Sequence, residues 1–153
     1  MNTTEGNTTL GNQVSIKASG ETAYGVNSTN GSTTLGNHAS VYASGNTAYG
    51  VASQESTTEG TDDLGKTIQV SVSGVNQIGA GAQIQAASIT GDAYGVYAAH
   101  SGANQIDAGA KIQATSTSGN AYGVYADSLV RNQWNQIGEN ATISVSAESG
   151  TAT

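Results

Sequence analysis

The chain contains no cysteine, no proline and no phenylalanine, and only one methionine and one tryptophan. The lack of cysteine excludes a disulfide framework and any cysteine-ligated metal. Cations are scarce: four Lys and Arg stand against eleven Asp and Glu, a net charge of −7. So few cations cannot build a phosphate-binding stripe, and nucleic acid is not expected as a partner. The same shortage argues against docking on an anionic membrane. No stretch approaches the roughly 18 apolar residues a spanning helix needs, so no membrane insertion of this segment is expected. Met1-Asn2-Thr3-Thr4-Glu5 shows neither a basic region nor an apolar one, so no signal peptide is visible. That leaves an intracellular chain or an excised piece of a longer one. The repeats described next start almost at once and run to the last residue, and on that ground we expect a piece.

What the chain has is repetition. Gly, Ser, Thr, Asn and Ala dominate, with 36% apolar and 10% charged residues. Such a composition ordinarily points toward disorder. Here the apolar residues are small and periodic, which points instead to a repetitive β fold. Asn76 to Ala98 recurs 28 residues later as Asn104 to Ala126, with 17 of 23 positions identical. Thr8 to Ser28 aligns at an offset of 25 with Thr33 to Ser53 at 15 of 21 positions. A fixed period of this size marks a stacked architecture.

Within a unit, Val14, Ile16 and Ala18 alternate with Ser15 and Lys17, the period of a half-buried strand. Leu10-Gly11-Asn12 and Ser19-Gly20-Glu21 mark corners, and Ala23-Tyr24-Gly25-Val26 is a further short strand. Three short strands per unit predict an all-β fold, a parallel β-helix (β-solenoid) of about 25–28 residues per coil. Residues 1–153 form a single solenoid in this reading. Its units run about 8–31, 32–58, 59–75 (irregular), 76–103, 104–131 and 132–153 (partial). Gln54 to Asp63 and Leu129 to Trp134 read as insertions. Stacking then places Ile16, Val41, Val70, Ile84, Ile112 and Ile143 in one interior column. Tyr24, Tyr49, Tyr94 and Tyr122 share strand parity with Val26, Val51, Val96 and Val124, so that column is expected inward or at a corner. Ser28, Ser53, Ala98 and Ala126 suit a narrow corner. Tyr97 and Tyr125, alternating with Asn27 and Ala52, are expected to face solvent. Asn76, Asn104 and Asn135 are placed to form an amide ladder.

Asn-x-Ile, then Gly-Ala-x-Ile-x-Ala, then Ser-Gly-Asn-Ala-Tyr-Gly-Val-Tyr-Ala resembles the degenerate repeats in passenger regions of bacterial autotransporters. The resemblance covers nearly the whole chain, with a partial match in the third unit. It implies a right-handed parallel β-helix on a Gram-negative cell surface, serving adhesion or aggregation. The membrane barrel of that family is not in this segment. An apolar residue followed by Gly recurs at Leu10, Tyr24, Leu35, Tyr49, Leu64, Ile78, Tyr94 and Tyr122. In this the chain is also similar to the left-handed β-roll heads of trimeric autotransporters. The consistent difference between odd and even units favours the doubled period.

Residues able to carry chemistry are few. His38 and His100 lie at unrelated repeat phases with no triad partner at recognisable spacing, so neither is assigned a catalytic role. Glu55, Glu59, Asp62 and Asp63 make an acidic insertion without calcium-loop spacing, which reads as a solvated loop. No catalytic, cofactor-binding or metal residues are therefore assigned, and the chain is not expected to be an enzyme. Asn2, Asn7, Asn27, Asn30 and Asn140 lie in Asn-x-Ser/Thr sequons, which so Asn- and Thr-rich a chain supplies partly by chance. The outward Ser15, Lys17, Gln83, Gln85, Lys111 and Gln113, with Tyr42, Tyr97 and Tyr125, read either as plain solvated surface or as a weak multivalent contact face. The expected function is a structural and adhesive module of a bacterial cell-surface protein, with a surface glycan, a protein or another copy as partner. The alternative is a fibre subunit stacking end to end; a polysaccharide-processing enzyme ranks below both.

Overall fold

The computed structural model describes residues 1–54, 56–72, 74–99, 102–127 and 134–153. It is all-β, with no helix among the described residues. The strands, in chain order, are Asn2–Thr3 (β1), Thr8–Leu10 (β2), Ser15–Thr29 (β3), Thr33–Leu35 (β4), Ser40–Gln54 (β5), Ser56–Thr61 (β6), Thr67–Val72 (β7), Val75–Ile78 (β8), Gln83–Ser88 (β9), Ala93–Ala98 (β10), Ala103–Ile106 (β11), Lys111–Ser116 (β12), Ala121–Ala126 (β13), Asn135–Ile137 (β14) and Thr142–Ala147 (β15).

These strands wind as a parallel β-solenoid of about five turns. One side is the sheet β14-β11-β8-β4-β2. The other two sides belong to one sheet, whose path runs β1-β3-β5-β9-β12-β15, with β10 joining β5 to β13. In the first two coils a single 15-residue strand covers both of those sides. Every coil thus has three sides, and the doubled unit is the repeat. Equivalent residues stack without slippage: Ile16 on Val41, Val41 on Ile84, Ile84 on Ile112, Ile112 on Ile143. A slip of one residue would turn every apolar side chain outward, so alternation holds this register.

The core is two files of side chains. Val26, Leu35, Val41, Val51, Ile78, Ile84, Val96, Ile106 and Ile112 form the main one, and a column of alanines including Ala43, Ala86 and Ala114 forms the second. Between them the backbone comes close. A Cβ on Gly50 would overlap Ile84 Cγ2, and one on Gly95 would overlap Ile112 Cγ2. The aliphatic side chain of each coil fills the space above the glycine of the coil before it.

The third unit is not a coil. β6 and β7 form an antiparallel hairpin that, among the described residues, pairs only with itself, and Val70 lies opposite Thr58 rather than between Val41 and Ile84. The cause is local turn chemistry. Asp62 Oδ1 accepts the N–H groups of Leu64 (3.0 Å) and Lys66 (2.8 Å), and Gly65 adopts φ +78°. An Asx turn with a left-handed glycine folds the chain back before it can wind onward. Coils two and three then join as if the hairpin were absent, with Leu35 on Ile78.

The tyrosine column also departs from the expectation. Tyr24, Tyr49, Tyr94 and Tyr122 are half-buried on the outer surface, whereas Val26, Val51 and Val96 are fully buried. Gly95 and Val96 both face inward, so parity breaks at the glycine and the two columns end on opposite faces. The small corner position behaves as read: Ser28, Ser53 and Ala98 are buried. Tyr97 and Tyr125 do lie outward, although Asn27 and Ala52 at the same position are covered.

Asparagine and aspartate side chains tie the corners of successive coils. Asn7 Oδ1 accepts the Ser32 N–H, Asn12 Oδ1 that of Asn37, Asn37 Oδ1 that of Ala80, and Asp92 Oδ1 that of Asn120. The corner after the first side is left-handed in every coil, at Gln13, His38, Gly81, Gly109 and Asn140.

Candidate binding surface: a tyrosine ridge and a polar groove

Stacking makes the outer surface as regular as the core. Tyr24, Tyr49, Tyr94 and Tyr122 stack in turn at centroid distances of 4.7, 4.8 and 4.7 Å, with planes within 10°. This is the coil spacing of a parallel sheet, written in rings. Tyr97 and Tyr125 form a second pair beside it, parallel within 2° at 5.7 Å. They meet the first column edge to face: Tyr97 at 70° to Tyr49 and 68° to Tyr94, Tyr125 at 66° to Tyr122. Both arrangements suit the ring quadrupole. The faces of Tyr49 and Tyr94 are occupied by their neighbours, so the column offers ring edges and phenolic hydroxyls outward.

Polar neighbours hold the ridge. Gln54 Nε2 donates to the Tyr24 hydroxyl (3.1 Å), and the Tyr94 hydroxyl donates to Asp92 Oδ2 (3.3 Å). Burial raises the Tyr49 hydroxyl to about 12, reinforced by Tyr24, Tyr97 and Asp92. Burial, then the Asp92 carboxylate, raises Tyr94, and burial, then Asp127, raises Tyr97. Tyr49, Tyr94 and Tyr97 are therefore neutral at physiological pH.

A folded-state pKa above the ordinary tyrosine value of about 10 stabilises the fold fully below that value and loses the contribution as pH rises. Stability should thus fall between about pH 10 and pH 12, with tyrosinate absorbance at alkaline pH appearing together with loss of the β-sheet circular dichroism. Titration of Tyr49, Tyr94 and Tyr97 near pH 10 with the fold intact would contradict this.

The second side of the rod carries the predicted polar ladders. Ser15, Lys17, Gln83, Lys111 and Gln113 are exposed, and Gln85 and Tyr42 half-buried. Between Ser40, Gln83 and Lys111 on one edge and Tyr42, Gln85 and Gln113 on the other runs a shallow groove of about 330 Å³. Tyr42 also borders a wider depression at the next corner, beside the exposed Ile89.

The remaining candidates are dispersed. His38 is an exposed residue of the left-handed corner, packed beside Gly81 of the next coil. His100 and Glu55 lie outside the described residues, as does most of the Leu129 to Trp134 insertion. Glu59, Asp62 and Asp63 sit on the hairpin, and Asp62 is engaged by its own turn. Among the described residues no group of three His, Asp or Glu side chains is placed to hold a metal ion. Of the sequon residues, Asn27 is buried and donates to Asn2 Oδ1 (2.8 Å), which withdraws its amide from modification.

The amide ladder forms in the core. Asn76 Nδ2 donates to Asn104 Oδ1 and Asn104 Nδ2 to Asn135 Oδ1, each at 2.8 Å. Ser53 Oγ donates to Asn76 Oδ1 (2.7 Å), extending the chain into coil two. The ring ridge was the surface that strand parity misplaced; the Gly after each Tyr was the available signal for a bend.

Neither protein-family models, nor curated proteins, nor solved structures provide a match to the chain.

Proposed function

We propose that this chain is a non-catalytic presenting module of a bacterial cell-surface protein, acting in adhesion or aggregation through its tyrosine ridge. The observation that carries the reading is the ridge: six half-buried tyrosines gathered on one outer face of a rod. Tyrosine combines a large apolar ring with a polar tip and is enriched in recognition surfaces. Identical groups repeated at the coil spacing favour many weak contacts made together over one deep pocket. The groove on the second side is shallow and bordered by Ser, Gln, Lys and Tyr side chains able to hydrogen-bond a glycan or an extended protein segment. The likeness of the repeats to autotransporter passengers supports the surface location.

Beads coated with the chain test this against immobilised oligosaccharides and against cultured epithelial cells. Wild-type beads should be retained, and Tyr97→Ala with Tyr125→Ala should lower retention several-fold. That pair leaves the four-ring column in place, so the fold is preserved. Retention unchanged by the double substitution, or no retention of wild type on any surface, would overturn the proposal.

A further inference from the structure

The ridge gathers six of the seven tyrosines, and Tyr42 touches no other ring among the described residues. It stands half-buried on the second side of the rod, in the outward file of Lys17, Gln85, Gln113 and Ser144. It borders both depressions of that side: the groove of about 330 Å³ and the wider hollow of about 640 Å³ beside Ile89. The ridge turns ring edges outward, whereas the faces of Tyr42 are not taken by a neighbouring ring.

The polar groups along the groove are uncommitted. Among the described residues, the amides of Gln83, Gln85 and Gln113 and the Lys111 ammonium make no hydrogen bond or ion pair with the protein. The corner side chains Asn12, Asn37 and Asp92 are, by contrast, bonded to the backbone of the next coil. A Gln amide carries two donors and an acceptor oxygen. It therefore matches neighbouring hydroxyl groups, each of which both donates and accepts. Gln85 stacks on Gln113 and Gln83 on Lys111. The same polar pair thus recurs one coil, about 4.8 Å, further along the rod.

Charge and backbone narrow the occupant. Lys111 and Glu21 are the formal charges bordering the two depressions among the described residues, one of each sign, so neither an anion nor a cation is selected. An extended peptide gains its affinity at a strand edge, where N–H and C=O groups are unpaired. The floor here is a sheet face, in which β5, β9, β12 and β15 already pair with one another. What is left is one ring with free faces and a line of repeated amides. A ligand that fits has apolar C–H faces, dense hydroxyls, no charge and a repeating length.

We propose that the second side of the rod binds a neutral linear polysaccharide lying along the axis, one sugar face packed on Tyr42 and its hydroxyls held by Gln83, Gln85 and Gln113. This names the partner of the groove within the adhesive reading above and rests on that reading, but it uses none of the ridge residues. Each sugar contributes weakly, and the repetition of the file sums the contacts.

Affinity electrophoresis of the full chain tests this, in gels containing a soluble glucan, mannan or galactomannan, with polygalacturonate and heparin as charged comparisons. At least one neutral glycan should retard the chain. Tyr42→Ala should weaken that binding by about fivefold or more. Tyr42→Phe keeps the ring and should retain most of it. Gln85→Ala with Gln113→Ala should weaken it several-fold, and Tyr97→Ala with Tyr125→Ala should bind as wild type. Circular dichroism confirms that each variant folds. No retardation by any neutral glycan, retardation by the charged polymers alone, or wild-type binding by Tyr42→Ala would each overturn the proposal. Binding lost in the Tyr97→Ala, Tyr125→Ala pair and kept in Tyr42→Ala would place the glycan on the ridge, which ends this proposal and leaves the adhesive reading standing.

Discussion

Gly95→Ala should destabilise the rod by about 3 kcal/mol or more, beyond the usual effect of a single methyl group. A Cβ at this position would overlap Ile112 Cγ2 and lie 2.5 Å from the carbonyl oxygen of Gly123. The first obstacle is a side chain that can be trimmed; the second is backbone, fixed by pairing of β10 with β13. Urea unfolding followed by circular dichroism measures the loss. Ile112→Ala alone should cost about 2–5 kcal/mol, from the cavity it leaves. Combined, the two should cost less than their sum, because the removed side chain makes room for the added methyl. Recovery stays incomplete because the carbonyl remains. A Gly95→Ala protein within about 0.5 kcal/mol of wild type would show that the coils can shift apart there.

Asn104→Ala is expected to cost about 2–3 kcal/mol, although the side chain is small and uncharged. Asn104 is 1% exposed, and its amide donates to Tyr125 O and Asn135 Oδ1 while accepting from Asn76 Nδ2, all at 2.8 Å. Its removal strips one partner from the buried Asn76 amide and from the Tyr125 carbonyl. Asn135→Ala is the control. Asn135 is exposed, so solvent can replace the lost contacts and the cost should stay below about 1 kcal/mol. Equal losses for the two in urea unfolding would mean that the ladder adds nothing beyond packing.

Much of this was legible from the repeats alone. Once Asn76 is aligned with Asn104, or Ile84 with Ile112, stacking dictates that they touch, and the register agrees residue by residue. Two features were not legible by that route. Ile68, Val70 and Val72 alternate with polar residues as a stacked strand does, and as a hairpin arm does equally. What distinguishes the two is the partner, which alternation does not encode; Asp62 and Gly65 between flanking strands were the usable clue. The tyrosines were misplaced because parity was counted straight through Gly25 and its equivalents. Counting by twos holds only while a strand stays straight, and a residue without a Cβ is where this chain bends. The candidate surface was partly visible, since Tyr97 and Tyr125 were read outward. The contact that joins them to the four-ring column follows from that same bend.

The hairpin of β6 and β7 leaves the rod between Gln54 and Val75, yet the sheets on either side continue as though nothing intervened. The spacing of equivalent residues there is 43, against 25 in the coil before and 28 in the coil after. The length of a detour at this edge is thus decoupled from the winding. Closing a longer excursion costs only about 0.6 kcal/mol per doubling of its length. Foreign segments whose two ends lie close together should therefore splice in between Gln54 and Val75 without disturbing the layers above and below. That makes this edge a natural grafting point for epitopes or small folded domains.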